Sequence, residues 1–177
     1  MHSDGMENDR PNPSGMSERE ISLKYEIEGN KYKVGDNVTI RYVVSNHSQQ
    51  EIYLITEVDE PTLLSHIDRS RSTPYLNNDL HIMVRKSQVP SEDIEFPKLE
   101  KLDPGRHYQG DISLTIGPFY TQGHSFLVYL SVFYLSREDM NTIRNLLKET
   151  EPEKMGLYLQ DLEKTLTDEP IKISIVE

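Results

Sequence analysis

The stretch that decides the fold is KVGDNVTIRYVVSNHSQQEIYL, residues 33–54. Val38, Ile40, Tyr42 and Val44 recur at every second position, the spacing that puts one face of an extended strand against a core. Gly35-Asp36 breaks the chain before this run, and SNHSQQ breaks it after. Ile52 and Leu54 then resume the alternation, with Thr56 and Val58 in phase. The simplest reading is two antiparallel neighbours in a sheet.

The same grammar extends in both directions. ISLKYEIEG alternates through Ile21, Leu23, Tyr25 and Ile27. LHIMVRK predicts a short strand through Ile82 and Val84, and HYQGDISLTI another through Tyr108, Ile112, Leu114 and Ile116. Asp103-Pro104-Gly105 is a turn signal, because proline presets its own φ and glycine tolerates a positive one. The segment 89–106 reads as connection, since Pro90, Pro97 and Pro104 cannot donate to a ladder. HSFLVYLSVFYL is apolar on both faces, which predicts a central strand or one covered from outside. The chain ends in strand alternation at Ile171, Ile173 and Ile175.

Between those last two strands the period becomes helical. Met140, Ile143, Leu146 and Leu147 form one stripe, and Ser136 with Asp139 approximates a capping box. Met155, Leu159, Leu162 and Leu166 form a second stripe, with Pro152 near its first turn. Stripes this narrow need cover, so the pair is expected over Leu127, Tyr129 and Phe133. The expected fold is all-β: an antiparallel sandwich of about seven strands with a two-helix insertion, about 136–167, before the last strand. Residues 1–19, rich in Pro, Gly, Asn and charge, are expected to be a disordered tail, leaving 20–177 as the domain.

These elements resemble bacterial immunoglobulin-like sandwich domains. The likeness rests on VGDNVTIRYVVSN ending in a turn Asn, the LDPG turn before a strand, and SFLVYLSVFY paired with a terminal IKISIV. Among such domains the chain looks like intracellular proteinase inhibitors of the BsuPI type, cytosolic cysteine-free sandwiches. The helical segment and the long connection at 60–79 depart from that pattern, and no functional residue is transferred.

Composition narrows the function classes. Nineteen Lys and Arg against 30 Asp and Glu give a formal charge of −11, a field that repels phosphate backbones and anionic lipid. Neither nucleic acid nor a membrane is therefore expected as a partner. With no cysteine there is no disulfide, thiolate metal site or cysteine nucleophile, and a cytoplasmic location is the expectation. No run approaches the roughly 20 apolar residues of a membrane span.

No motif for catalysis emerges. G-x-S-x-G is absent, Ser65, His66 and Asp68 are neighbours only along the chain, and the same holds for His124-Ser125. The six histidines are scattered singly, so neither a metal nor a cofactor is expected. Acidic turns at Glu57, Asp59 and Glu60, and at Asn77, Asn78 and Asp79, lack the ordered spacing of a calcium loop. The sequons at Asn37 and Asn46 read as turn chemistry at strand ends.

One connection stands apart. HIDRSRSTPY (66–75) concentrates Arg69 and Arg71 among hydroxyls in an otherwise acidic chain. Arg can grip carboxylates bidentately and Tyr75 can anchor, and in a eukaryotic host RSRSTP with Ser72 phosphorylated would resemble a motif read by phosphoserine-binding adaptors. Arg69, Arg71, Ser72 and Tyr75 are the expected contacts for a protein partner. The expected function is non-catalytic protein binding, as adaptor, inhibitor or immunity-type partner. Two other readings stay open: a carbohydrate- or calcium-binding sandwich using Tyr75, Tyr120 and Tyr158, and an enzyme whose site is assembled from distant residues.

Overall fold

A computed structural model describes residues 20–56, 79–84, 98–116, 125–149, 159 and 161–176. Its elements in chain order begin with β1 (Ile21–Ile27), β2 (Lys31–Tyr32), β3 (Asn37–Asn46), β4 (Ile52–Ile55) and β5 (Asp79–Val84). There follow β6 (Leu99–Leu102), β7 (His107–Thr115), β8 (Ser125–Ser136), α1 (Arg137–Glu149), β9 (Lys164–Thr167) and β10 (Ile171–Ile175). The fold is all-β in character with one helix described in full.

Two sheets form. One has the order β1-β3-β7 and is antiparallel throughout. The other runs β2-β10-β8-β4-β6, with β5 and β9 also paired to β8. The alternation read from the sequence sets the core between them. Val38, Ile40, Tyr42 and Val44 of the first sheet meet Leu54, Val128, Leu130, Val132, Ile173 and Ile175 of the second in one buried cluster.

The turns follow their residue chemistry. Gly105 has φ +73°, and the Arg106 N–H donates to the Asp103 carbonyl at 3.1 Å, so Pro104-Gly105 forms a turn that needs a positive φ at its third residue. Gly35, with φ +96°, plays the same part between Lys33 and Asp36. Asn46 is fully buried and satisfied: its Nδ2 donates to the Gln50 and Leu102 carbonyls, while its Oδ1 accepts from Ser48. One side chain thus fastens the end of β3 to the end of β6. The turn reading of that sequon holds.

Several expectations need correction. There are ten strands among the described residues, not about seven, and two pairings are parallel: β5 with β8, and β10 with β2. Lys31–Tyr32, ahead of the Gly35-Asp36 break, forms a short strand that the alternation does not announce and pairs with β10. The supposed connection 89–106 contains β6. Its two leucines sit three apart because each serves a different face, Leu102 in the core between the sheets and Leu99 beneath the helix. Period-two scanning misses such a strand.

The second helical stripe also ends earlier than expected. Leu159, Asp161 and Leu162 are helical, but Lys164–Thr167 is β9, antiparallel to β8. Leu166 fits a helical stripe with Leu159 and Leu162, and equally fits a strand flanked by Thr165 and Thr167. Burial between the sheets, opposite Val132, decides for the strand.

Helix α1 caps and packs as its sequence predicts. Ser136 Oγ accepts from the Asp139 N–H at 3.1 Å, and the Asp139 carboxylate accepts from the Ser136 N–H at 3.2 Å. Met140 and Ile143 bury against Tyr53, Ile55, Phe133 and Leu135 on the outer face of the second sheet. Among the described residues the cover reaches one end of β8. Leu127, expected beneath the helices, is 36% exposed.

Candidate interaction surface

The residues that the sequence singled out for partner binding, Arg69, Arg71, Ser72 and Tyr75, lie outside the described residues. So do Ser65, His66, Asp68 and His124, the acidic turn residues Glu57, Asp59, Glu60, Asn77 and Asn78, and Tyr120 and Tyr158. Ser125 is described, and its Oγ lies 3.2 Å from Ser174 Oγ, a cross-strand hydroxyl pair within the sheet.

The described surface has a groove of about 670 Å³ where an edge of one sheet meets an edge of the other. Ser22, Leu23 and Lys24 of β1 form one wall, Thr167, Asp168 and Glu169 the opposite wall, and His47 lies at the end. Its shape follows from an irregularity in the last strand. Thr167 faces Ser131 and Ile171 faces Val128, so residues 168–170 stand against only 129 and 130. That is one extra residue, a bulge, and it falls on Asp168-Glu169-Pro170. Pro170 has no N–H to offer the ladder, which makes this the natural place for pairing to break.

Tyr25 closes the break from the other sheet. Its hydroxyl lies 2.9 Å from the Val128 carbonyl and 2.8 Å from that of Glu169, and one phenolic proton serves both acceptors. Burial raises the Tyr25 pKa above the usual phenol range, against the opposing effect of a backbone hydrogen bond from Leu130. The phenol therefore stays a donor across the physiological range. Beside it, Lys24 Nζ stands 3.3 Å from Asp168 Oδ2.

Chemically, the groove is a seam. Its cation and one of its carboxylates neutralise each other, and the tyrosine hydroxyl is turned to backbone carbonyls. The other titration shifts likewise trace to construction. Tyr42 is raised by burial and by Tyr108 beside it. For Asp139, burial pushes the carboxyl upward, but hydrogen bonds from Lys164 and Ser136 outweigh it and hold the group below the ordinary carboxylate range. Among the described residues no group of three or more His, Asp or Glu gathers within reach of one metal ion. No helix of the described residues is long and apolar enough to cross a membrane.

Sequence reasoning assigned Tyr25 to the core face and did not foresee its bond to the bulge. The available signal was Glu169-Pro170 at the entry to the last strand, a proline where a ladder was expected. No family model matches the chain, and no curated protein matches it.

Proposed function

We propose that the chain is a non-catalytic protein-binding module, an adaptor, inhibitor or immunity-type partner, built on an immunoglobulin-like sandwich. The reading is supported by the strand orders β1-β3-β7 and β2-β10-β8-β4-β6 around a common apolar core, with the short β2 running parallel beside β10. The observation that carries the functional half is where the polar side chains go. Asn46, Tyr25, Asp139 and Lys164 are engaged in turns, the bulge and the helix cap, fastening the frame. A frame fixed in this way holds its edges and connections steady for another molecule. The acidic, cysteine-free composition suits work in the cytoplasm.

The connection between β4 and β5 supplies the proposed contacts Arg69, Arg71, Ser72 and Tyr75. Affinity capture from the native host tests this, comparing the intact chain with one whose residues 66–75 are replaced by a Gly-Ser linker. Loss of a specific partner on replacement is the expected result. Reproducible substrate turnover by the purified chain overturns the non-catalytic reading.

A further inference from the structure

The first sheet ends in β7, and the register shows which of its peptide groups face outward. The Asn46 N–H donates to the Arg106 carbonyl at 2.9 Å, and the Ile116 N–H donates to that of Asp36 at 2.9 Å. Bonded pairs alternate along an antiparallel ladder, so between these ends β7 bonds to β3 through residues 108, 110, 112 and 114. The N–H and C=O groups of His107, Gln109, Asp111, Ser113 and Thr115 therefore point away from β3. Nothing among the described residues pairs with them, and all five residues are exposed.

Among the described residues this edge lacks the usual protections. Free strand edges are commonly blunted by Lys, Pro, a bulge or brevity. The β2 edge is two residues long, and the four-residue β6 carries Lys101 and is preceded by Lys98. β1 carries Lys24 and is flanked by the tyrosine-closed bulge. β7 has nine residues in unbroken register with β3, and no Lys or Pro among them. At about 3.4 Å per residue it is a template of roughly 30 Å. Gly110, next to its midpoint, is backed by Tyr42. A Cβ there would lie 2.3–2.5 Å from the Tyr42 ring, so the core is packed right up to the edge.

Charge selects the occupant. The register places Glu26 opposite Arg41 and Arg41 opposite Asp111, an alternating row of exposed charges crossing the sheet. Opposite charges on adjacent strands stabilise a sheet and like charges oppose it. The next strand should therefore present a cation beside Asp111. A second copy of this chain fits poorly: it brings another −11, and pairing centred on Asp111 would set two aspartates face to face.

We infer that the outer edge of β7, His107–Thr115, takes up an extended basic segment of a partner protein by strand addition, with lysine or arginine opposite Asp111. The inference rests on the binding-module reading and gives it contacts other than residues 66–75.

The test uses the full chain and two synthetic nonapeptides of alternating Thr and Val that differ only in a central Lys or Glu. The Lys peptide slows hydrogen exchange at the amides of Gln109, Asp111 and Ser113. It binds roughly fivefold tighter than its Glu twin, the order expected when one cross-strand pair changes from opposite to like charge. Asp111→Lys inverts that preference. Gln109→Pro removes an outward donor without touching the bonds to β3, and it abolishes binding while the thermal midpoint reports that the domain still folds. Equal binding of the two peptides, or unchanged exchange at those amides under a large peptide excess, overturns the inference. Self-association through β7 overturns it too, in favour of a second copy. A host partner retained by Asp111→Lys and Gln109→Pro overturns this edge alone and leaves the binding-module reading standing.

Discussion

The chain packs two apolar clusters on opposite faces of one sheet, and they are built differently. The inner cluster draws strands from both sheets, so Ile40 and Val44 from one side interlock with Leu130 and Ile173 from the other. The outer cluster is a helix laid on part of a face, where Met140 and Ile143 cover Tyr53, Ile55, Phe133 and Leu135. The inner cluster ties together elements distant in sequence. The outer one ties α1 to strands that already hold each other. Losses in the first should unfold the domain, and losses in the second should loosen a part of it.

Truncating Leu130, which is fully buried at the centre of β8, gives the largest expected effect. Leu130→Ala should cost about 2–5 kcal/mol, with all probes melting together in denaturant titrations. Ile143→Ala removes an equally buried side chain from the outer cluster. A helix held on one face can resettle into part of the cavity, so about 2–3 kcal/mol is expected. Hydrogen exchange should rise in α1 well before it rises in β3. Equal acceleration in both would show that the two clusters form one cooperative unit, and the contrast would fail.

Tyr25 sits at the rim of the inner cluster, where its hydroxyl reaches two backbone carbonyls beside Pro170, a residue with no N–H to give. Tyr25→Phe keeps the ring and removes the donor to the Val128 and Glu169 carbonyls. A loss of about 1–2 kcal/mol is expected in chemical denaturation, the size of a partly buried hydrogen bond whose acceptors are left behind. A loss near zero would mean that water takes the place of the hydroxyl, and that the bulge holds without it.

The same contrast governs how far the sequence could be read. The inner cluster was legible where it obeys one rule: side chains alternate, and Val38 through Val44 declare a face at once. The outer cluster follows two periods at a time. Tyr53 and Ile55 fall out of phase with Ile52 and Leu54 and are covered by α1, and Leu99 falls within the segment read as connection because it faces away from Leu102. Leu166 belonged to both patterns, and burial opposite Val132 was needed to choose. The groove was not legible at all, since its walls come from residues more than a hundred positions apart. Nor was the β7 edge, because an unpaired backbone group leaves no mark on side-chain type. What the sequence does offer there is an absence, nine strand residues without a Lys or Pro.

The smallest expected effect lies at the joint between the clusters, where α1 leaves β8. Asp139 accepts from Ser136 and from Lys164 of β9, so one carboxylate caps the helix and ties it to the strand beside β8. These hydrogen bonds, outweighing burial, keep its pKa in the folded state below the ordinary value. The folded state therefore binds this proton less readily than the unfolded chain does. The stabilisation is fully present above the unfolded carboxylate value of about 3.9 and fades as pH falls through the lower folded value. Lys164 is half exposed, so the electrostatic part is screened and should stay below about 1 kcal/mol. Asp139→Asn should accordingly flatten the acid limb of a stability-versus-pH curve while leaving the slope near neutrality unchanged. The loss should register first in α1 exchange, ahead of the inner strands. If acid sensitivity is the same in both proteins, the Lys164 link contributes nothing to the joint, and the outer cluster is held by its apolar contacts.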